Sequence, residues 1–489
     1  MKRINFKLQF DDLWALIGLL GIIAILNLAP ILPNDYWFHV SYGRDILNDH
    51  AIPFNDEYTF TMSGVNYPSV GVYWLAEIFM QQIRSFSGNW ETFFYGLIIC
   101  AAYLLTYRTI RLREKNKFAA GFALIIAILL GVTNWNIRPQ IFAYFYLAII
   151  QWSLARLRIN QTDNSKQDFL LTFSLWSLVI GSLVLWQNSH GTFLFGYMIV
   201  GLWILDFLRG RERVAFVLII TILPLFTPLG FLILEYFMRM FSNTMASRNI
   251  TEWQPASIFK ITGQIFYPTL ILILLLGFLK PKLRISEWIT FIVFLILAVR
   301  YQRAIIFFGF YAAQFIAVEL GKLKFFNRER QDSPSIRKIT AFIAGTVFFL
   351  TFLTLPFLKQ YLPMPESRKT NLSVNTPNEA VEVLTQQLPA GNVFAHYSYA
   401  SYLTYRTNAT TKIFMDTRFE LYTDQVFNDF LMINAAKPGW EDAAARYKID
   451  HWLLSKENQP DLIKALNSID SYDLIFEDDE FILFTNVES

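Results

Sequence analysis

The sequence predicts a multi-pass α-helical membrane protein that ends in an α/β domain outside the membrane. Three observations lead to this fold class. The 489 residues are 54% hydrophobic but only 17% charged, whereas an average soluble chain has about 25% charged residues. Apolar runs long enough to cross a bilayer recur up to about residue 358. After Lys359 the sequence takes on the composition of a soluble domain.

Eleven apolar runs are predicted to be transmembrane helices. The first, 13–32, follows a basic N-terminus and lacks a small-residue cleavage pattern, so we expect a retained signal anchor. The others are 93–110, 118–133, 141–157, 169–186, 192–208, 214–234, 264–279, 286–299, 304–320 and 339–358. The run 214–234 contains Pro224 and Pro228, so we expect it to be kinked or broken.

Lysines and arginines predict the orientation of these helices. With the N-terminus in the cytoplasm, every predicted inner segment carries at least three basic residues. The predicted outer segments before the last span carry few, which satisfies the positive-inside rule. These few are Arg44, Arg84, Arg138, Arg239, Arg248, Lys260, Arg300 and Arg303. An odd number of spans then places the C-terminal domain outside the cytoplasm.

The domain boundaries follow from the same pattern. Residues 1–362 form the predicted membrane domain, with a large first outer loop at 33–91 and a second long outer region at 235–263. A Pro-containing linker covers 363–377, and 378–489 form the α/β domain. In that domain the sequence predicts strands at 392–395, 412–415 and 451–455, helices at 424–436 and 440–447, and a hairpin of 472–476 with 481–484.

The first outer loop carries the acids best suited to chemistry. If 35–49 is a helix on the membrane surface, Asp35 and His39 share one face, while Trp37 and Val40 point to the headgroup boundary. Asp35 could act as a general base on an acceptor hydroxyl; the alternative is that it caps the helix. His39 is more typical of a hydrogen-bonded structural group than of a metal ligand.

Asp56 and Glu57 are neighbours in a stretch where Pro53 and Asn55 favour a turn. In a turn the two acids could bind a metal or orient an acceptor. A solvated turn without chemistry is an equal alternative.

The scarce outer basic residues are candidates for holding phosphate. Arg300 and Arg303 lie at a predicted outer helix end and Arg138 at another, and guanidinium groups bind phosphate well. The alternative is that they snorkel to lipid headgroups. His190 follows an apolar run in a polar turn and could line a cavity or simply belong to a tight turn.

Glu252 and Trp253 lie in the second long outer region. An aromatic ring beside a carboxylate suits a sugar, because the ring stacks on C–H groups while the acid accepts hydroxyl protons. A membrane-interface anchor has the same composition.

Several classes of site are absent from the sequence. The single cysteine, Cys100, excludes a disulfide framework. No Walker lysine loop, GxGxxG, GxSxG or Cys/His zinc spacing occurs. The basic inner loops are interpreted as topology determinants, so no nucleic-acid partner is expected.

The chain carries an ordered set of motifs: DYWFHVSYGRDILNDHAIPFNDEYTF, YWLAE, NIRPQ, WQNSHG, FTPLG, ITEWQP, RYQRAIIFF, MDTRFELY and PGWED. This set resembles a branch of large bacterial membrane proteins in the GT-C glycosyltransferase superfamily, to which protein mannosyltransferases and lipid A aminoarabinose transferases also belong. The resemblance implies a protein of the bacterial inner (plasma) membrane. The resemblance implies transfer of a sugar from a polyprenyl-phosphate donor, with an acid of the first outer loop as base. Asp35 fits this acid best, and Asp56 matches a second recurring acid.

The resemblance also extends to other residues. Arg300 and Arg303 match a late basic position suited to the lipid phosphate. Together with them, the predicted substrate-binding residues are His39, Glu57, Glu77 of YWLAE, Arg138, His190, Glu252 and Trp253. A divalent cation, Mg²⁺ or Mn²⁺, held by Asp35 and Asp56 is an open question, because Asn34 stands where some relatives carry a second acid. Asp416 and Arg418 match a motif of the outer domain without a known role.

We therefore expect an inverting glycosyltransferase that takes its sugar from a polyprenyl-phosphate donor and passes it to a glycan, lipid or protein. A lipid-linked glycan polymerase or ligase is the first alternative. A transporter of lipid-linked glycans ranks lower, because the spans are mostly apolar and no internal repeat is visible. A non-catalytic assembly factor is the last alternative.

Overall fold

The computed structural model describes residues 9–162, 168–233, 238, 251–279, 283–326 and 333–487. Most of them are helical, and one five-stranded sheet lies near the C-terminus. The chain forms two compact units. Unit 1 comprises the described residues of Met1–Ala29, Asn89–Phe231 and Ser247–Lys369; unit 2 comprises those of Pro30–Gly88, Leu232–Ala246 and Thr370–Ser489. Most of the predicted outer region 235–263, with Arg239 and Arg248, lies outside the described residues.

Unit 1 is built from helices. They are α1 (Leu13–Leu28), α4 (Glu91–Arg113), α5 (Lys117–Gly131), α6 (Gln140–Thr162), α7 (Phe169–Gln187), α8 (Phe193–Phe207), α9 (Gly210–Ile222), α10 (Ile261–Gly277), α11 (Ile285–Arg300), α12 (Ile305–Gly321), α13 (Pro334–Leu353), α14 (Pro356–Lys359) and α15 (Glu366–Lys369). Unit 2 contributes α2 (Tyr36–Asp49) and α3 (Val70–Ser87) between α1 and α4.

Six described segments are long and apolar enough to cross a membrane. They are Phe10–Leu28, Val70–Arg113, Lys117–Asn134, Phe169–Gln187, Gln302–Gly321 and Pro334–Leu353. Four of them contain a predicted span, and Phe10–Leu28 and Pro334–Leu353 overlap the predicted spans 13–32 and 339–358. Helices α8 and α10 are shorter apolar helices that correspond to two more. The predicted number of eleven is not confirmed by this measure. The run at 214–234 breaks as expected: α9 ends at Ile222, and a 3-10 turn that contains Pro224 follows.

Burial separates a central helix of unit 1 from a peripheral one. In Gln302–Gly321, 83% of the most apolar window is buried inside the protein, and α12 packs along α5. In Pro334–Leu353 the buried share is 11%. Apolar side chains such as Phe342 and Phe348 are exposed there, as expected of a helix that meets lipid.

Unit 2 contains the sheet, in the strand order β2-β1-β3-β5-β4. The strands are β1 (Asn392–Ala395), β2 (Lys412–Ile413), β3 (His451–Ser455), β4 (Tyr472–Glu477) and β5 (Phe481–Asn486). β1 is parallel to β2 and β3, and β5 is antiparallel to β3 and β4. The helices are α16 (Asn378–Gln387), α17 (Tyr397–Arg406), α18 (Asp424–Asn434), α19 (Trp440–Tyr447) and α20 (Pro460–Leu466).

The first outer loop belongs to the fold of the C-terminal residues. Phe38, Tyr42 and Tyr67 share one apolar core with Phe394 and Trp452, and Thr59 forms a parallel bridge with Ile413. The predicted domain boundaries placed residues 33–91 with the membrane helices. The structure groups Pro30–Gly88 with Thr370–Ser489 instead, because the aromatic side chains of the loop are buried against the sheet domain.

Helix α2 forms where 35–49 was predicted, but the expectation of a helix lying at the lipid headgroups is wrong. Trp37 and Val40 are completely buried, and the Trp37 ring packs 4.9 Å from the ring of Tyr402. Gly43 allows α2 to touch α3: a Cβ at Gly43 would lie 2.1 Å from the backbone oxygen of Glu77. The apolar face of α2 therefore packs on protein rather than on lipid.

Candidate active site

Asp35 stands at the start of α2 with a half-buried side chain. Its backbone oxygen accepts a hydrogen bond from the His39 amide at 3.3 Å. Its side chain makes no capping hydrogen bond to the helix. The capping alternative therefore lacks the contact that would define it, and the carboxylate has access to solvent.

His39 and Glu77 form a buried pair between α2 and α3. The His39 Nδ1 lies 2.9 Å from Glu77 Oε1, and both side chains are almost fully buried. The ring of Tyr73 lies 5.4 Å from the imidazole. The structure thus gives His39 the hydrogen-bond partner that was expected of a structural histidine. The role of either residue as a substrate contact stays a prediction.

Asp56 lies at the centre of a buried ionic cluster with Arg418 and Asp416, which we call the Arg418 cluster. Asp56 Oδ1 accepts from Arg418 Nη1 at 2.6 Å, and Oδ2 accepts from the amide and hydroxyl of Thr59 at 3.0 and 2.5 Å. Arg418 Nε donates to both oxygens of Asp416 at 3.0 and 2.8 Å. All three charged side chains have no solvent exposure.

Aromatic rings surround the guanidinium of the Arg418 cluster. The rings of Phe38, Tyr42, Tyr58 and Tyr67 lie 5.3–5.9 Å from it, and Nη1 also donates to the Tyr42 hydroxyl at 2.5 Å. Such contacts stabilise a cation that has lost its water. The cluster thereby ties the first outer loop to the 416–418 segment.

Burial and charge shift the pKa values in this cluster. Burial alone would lower the pKa of Arg418, but Asp416, Tyr42 and Asp56 outweigh it and raise that pKa well above its ordinary value. Burial raises the pKa of Asp416, and the nearby Asp56 carboxylate adds to the increase. Two carboxylates face one guanidinium, so the cluster is tightly paired but not open to an acceptor.

Glu57 does not join Asp56 in a shared acidic site. Its side chain is exposed, whereas that of Asp56 is fully buried. The backbone oxygen of Glu57 accepts a hydrogen bond from Lys412 Nζ. The turn separates the two acids, so of the loop acids Asp35 has the geometry that suits a base better than Asp56 does.

In unit 1 the structure brings together three predicted outer connections in what we call the arginine cluster. Arg138 Nη1 donates to both oxygens of Glu252 at 3.1 and 3.0 Å. The Arg303 guanidinium lies 4.9 Å from the Trp253 ring, which in turn contacts the ring of Tyr301 at 5.8 Å. Sequence analysis had singled out each of these charged residues separately.

Two guanidinium groups of this cluster are available for a ligand. Arg300 is exposed and lies 5.5 Å from the Tyr301 ring. Within the described ranges, the side chains of Arg300 and Arg303 make no hydrogen bond and no ion pair. Glu252 pairs with Arg138, so the guanidinium groups of Arg300 and Arg303 are left with positive charge suited to an anion.

His190 is buried in its turn and hydrogen-bonded locally. Its Nδ1 lies 2.8 Å from the Thr192 hydroxyl and accepts from the Thr192 amide at 3.1 Å. The indole nitrogen of Trp186 donates to the same hydroxyl at 3.2 Å. These contacts fit the tight-turn alternative; the role of His190 as a substrate contact stays a prediction.

The donor groups do not fit a divalent cation held by several side chains. Among the described residues no group of three or more His, Cys, Asp or Glu side chains is placed to hold a metal ion. A metal ion held by Asp35 and Asp56, which the sequence left open, stays a prediction; Asp56 is fully buried and both of its oxygens accept hydrogen bonds. We therefore derive no step through a metal.

The fold is similar to that of a known membrane glycosyltransferase. It matches the cryo-EM structure of the arabinofuranosyltransferase AftD from Mycobacteria with a TM-score of 0.54 at 10% sequence identity. The match covers 97% of this chain and 40% of AftD. No protein-family model matches the chain, and no curated protein matches it significantly. The chain thus shares its fold with part of a known arabinofuranosyltransferase.

Proposed function

We propose that this protein is a membrane glycosyltransferase of GT-C type that transfers a sugar from a polyprenyl-phosphate donor to an acceptor outside the cytoplasm. The similarity in fold to AftD supports the general class. The observation that carries the choice of donor is the arginine cluster, in which Arg300 and Arg303 have no carboxylate partner among the described residues.

The arginine cluster is suited to a phosphate that becomes a leaving group. When the bond from the anomeric carbon to the phosphate oxygen breaks, negative charge grows on that oxygen. Fixed guanidinium groups stabilise this charge without having to reorient. The contact of Arg303 with the Trp253 ring at 4.9 Å holds its side chain in place, while Arg138 is neutralised by Glu252.

The acceptor is activated by Asp35 in this proposal. The carboxylate takes the proton of an acceptor hydroxyl as the hydroxyl oxygen bonds to the anomeric carbon. The bond to the phosphate oxygen breaks at the same time, and the polyprenyl phosphate leaves with the electron pair. A single displacement of this kind inverts the anomeric configuration.

The donor assignment is tested with purified full-length protein and a panel of polyprenyl-phosphate pentoses and hexoses. We expect Arg303→Ala to lower kcat/KM by about 10²–10³-fold, as loss of one charged donor does elsewhere. Lys260→Ala is the matched control, because Lys260 is an exposed basic residue whose side chain makes no hydrogen bond or ion pair among the described residues. Unchanged kcat/KM in both Arg300→Ala and Arg303→Ala would refute the role of the cluster.

The length of the transferred sugar tests the reaction type. Transfer of single sugars supports the proposal. Transfer restricted to donors that carry an oligosaccharide would instead indicate a lipid-linked glycan polymerase or ligase.

A further inference from the structure

Unit 2 contains a polar cavity of about 190 Å³. Its wall combines Leu32, Pro33 and Asn34, which precede the first outer helix, with residues that follow the strands of the sheet. Ser398 comes from the first turn of α17, and Ser455 is the last residue of β3. None of these cavity residues was predicted as a site residue from the sequence, although Asn34 was noted as the neighbour of Asp35.

The cavity lies where open α/β sheets bind their ligands. From β1 the chain continues to β2 on one side, and β3 later pairs with β1 on the other side. The strand order therefore reverses between β1 and β3. At such a switch point the connections after the parallel strands diverge and leave a crevice at the carboxyl ends of the strands. Ser398 and Ser455 follow or end these two strands.

Several polar side chains of the wall have no partner inside the protein. Among the described residues, the side chains of Asn34, Asn375, Glu457 and Glu480 make no hydrogen bond or ion pair. The asparagine amides can donate to and accept from hydroxyl groups, and the glutamate carboxylates can accept from them. The rings of Tyr399 and Phe481, 5.3 Å apart, add an apolar part to the wall.

The charge of the wall excludes one class of ligand. Glu457 and Glu480 are its charged residues, and no lysine or arginine lines it in the described part of the chain. Two carboxylates repel a phosphate or pyrophosphate. The cavity is thus the electrostatic opposite of the arginine cluster, and it suits a neutral ligand that is rich in hydroxyl groups.

From these observations we infer that the cavity binds the acceptor and that the acceptor is a neutral saccharide. Asn34 lines the cavity and is bonded to Asp35, whose Cα lies about 3.8 Å further along the chain. In this inference the base that deprotonates a hydroxyl group of the bound sugar is the carboxylate of the residue that directly follows Asn34 in the chain. The role of the saccharide as the acceptor rests on the proposed function. The binding of the saccharide to the cavity does not.

Binding is measured without any donor. Full-length protein in nanodiscs is mixed with methyl glycosides of arabinofuranose, mannose, glucose and N-acetylglucosamine, and saturation-transfer NMR reports which of them bind. We expect at least one glycoside to bind, with an affinity at least about tenfold above that of glucose 6-phosphate. No binding of any glycoside, equal binding of the sugar phosphate, or binding of a serine-containing peptide instead of the glycosides would overturn the inference.

A pair of asparagine variants localises the binding. Asn375→Trp fills the cavity with a large ring without removing a side-chain hydrogen bond. Asn467→Trp places the same ring on the exposed end of α20, away from the cavity. We expect the first change to weaken glycoside binding at least about tenfold and the second to leave it unchanged. Equal binding in the two variants would place the glycoside elsewhere.

A double variant tests whether the two carboxylates of the cavity set its preference for a neutral ligand. Glu457→Gln together with Glu480→Gln keeps the size of both side chains and removes their charges. We expect the preference for the glycoside over glucose 6-phosphate to fall towards equality. An unchanged preference would mean that the two carboxylates do not set the selectivity of the cavity.

Failure of this inference is distinguishable from failure of the proposed function. If Asn375→Trp transfers sugar from the polyprenyl-phosphate donors as well as the unmodified protein does, the function stands and the cavity is not the acceptor site. If the glycoside binds in the cavity but no donor supports transfer, the binding site stands and the proposed function fails.

Discussion

Two acids of the first outer loop have opposite surroundings. Asp56 has no solvent exposure, and both of its oxygens accept hydrogen bonds within the Arg418 cluster. Asp35 is half-buried, makes no capping bond to α2 and follows a residue that lines the polar cavity. Both acids come from a single stretch of about twenty residues, and sequence spacing alone did not distinguish them.

This difference indicates which acid stabilises the fold and which could act as a general base. A buried carboxylate that is paired with a guanidinium loses much of its stability if either partner is removed. A general base instead needs access to the proton that it abstracts. Asp56 therefore has the surroundings of a structural residue and Asp35 those of a base, so their substitutions should affect different measurements.

The largest expected effect is the loss of transfer when Asp35 is replaced by Asn. The amide keeps the size of the side chain but cannot take a proton, so we expect the rate to fall by about 10²–10⁴-fold. The free energy of unfolding should change by less than it does in Arg418→Ala, because Asp35 is half-buried and does not cap α2, whereas the Arg418 cluster has no solvent exposure. Sugar transfer and urea unfolding are measured on the same preparation. Full activity with normal expression would remove Asp35 from the mechanism.

Removal of Arg418 should have the second-largest effect, this time on folding. Arg418→Ala leaves Asp56 and Asp416 buried without their cation, which costs about 3–5 kcal/mol. We expect a lower urea midpoint for unit 2, with unfolding monitored by tryptophan fluorescence. Arg446→Ala is the control, because the Arg446 side chain is 54% exposed beside Asp429 and such pairs contribute less than about 1 kcal/mol. Equal stability of the two variants would contradict the structural role of the cluster.

Asp56→Asn completes this comparison. It should lower the stability of unit 2 in the same direction as Arg418→Ala, whereas Asp35→Asn should not. If Asp56→Asn instead abolished transfer while unit 2 kept its normal unfolding, Asp56 would replace Asp35 as the preferred base.

Much of unit 2 could be predicted from local sequence pattern. The strands at 392–395 and 451–455, the helix at 440–447 and the C-terminal hairpin all form as expected. These elements have strong local signals: short apolar runs between turns, and an acidic turn between two apolar strands. Helix α17 was missed, because its aromatic and β-branched residues favour a strand as much as a helix.

What the sequence could not provide were the long-range partners. Arg418 was noted without a role, since its partner Asp56 lies 362 positions away along the chain. The cavity residues Ser398, Ser455 and Asn458 have ordinary types and spacings and carry no local signal. The arginine cluster was predicted residue by residue, because basic residues are scarce on the predicted outer side, but its assembly around Glu252 and Trp253 needed the fold.

Titration of His396 should produce a third, pH-dependent effect on unit 2. Burial lowers the pKa of His396 from 6.5 to about 4. The unfolded chain therefore binds a proton over this interval that the folded protein does not, so stability falls as pH drops from about 6.5 to about 4. The loss amounts to about 3 kcal/mol, at 1.36 kcal/mol for each pKa unit. Burial also lowers the pKa of His451, which acts in the same direction.

Replacement of His396 shows how much of this pH dependence of stability comes from His396. His396→Asn keeps a side-chain acceptor for the first turn of α17, where His396 now accepts from the Ser398 amide. Urea midpoints at pH 7 and pH 5 should differ less in this variant than in the unmodified protein. His50→Asn is the control, because His50 is exposed and asparagine tolerates its positive φ. An equal difference between the urea midpoints at pH 7 and pH 5 in both variants would assign the pH dependence to other groups.

The smallest expected effect concerns Gly43, which lies on α2 between the two acids. A Cβ there would meet the backbone oxygen of Glu77 at 2.1 Å, so Gly43→Ala must push α2 away from α3 at a cost of about 1–3 kcal/mol. Since α2 starts directly after Asp35 and contributes Tyr42 to the Arg418 cluster, its displacement should lower both transfer and the stability of unit 2. Gly181→Ala is the control, because nothing lies within 4 Å of its added Cβ. Loss of stability with undiminished transfer would show that Asp35 acts independently of the position of α2.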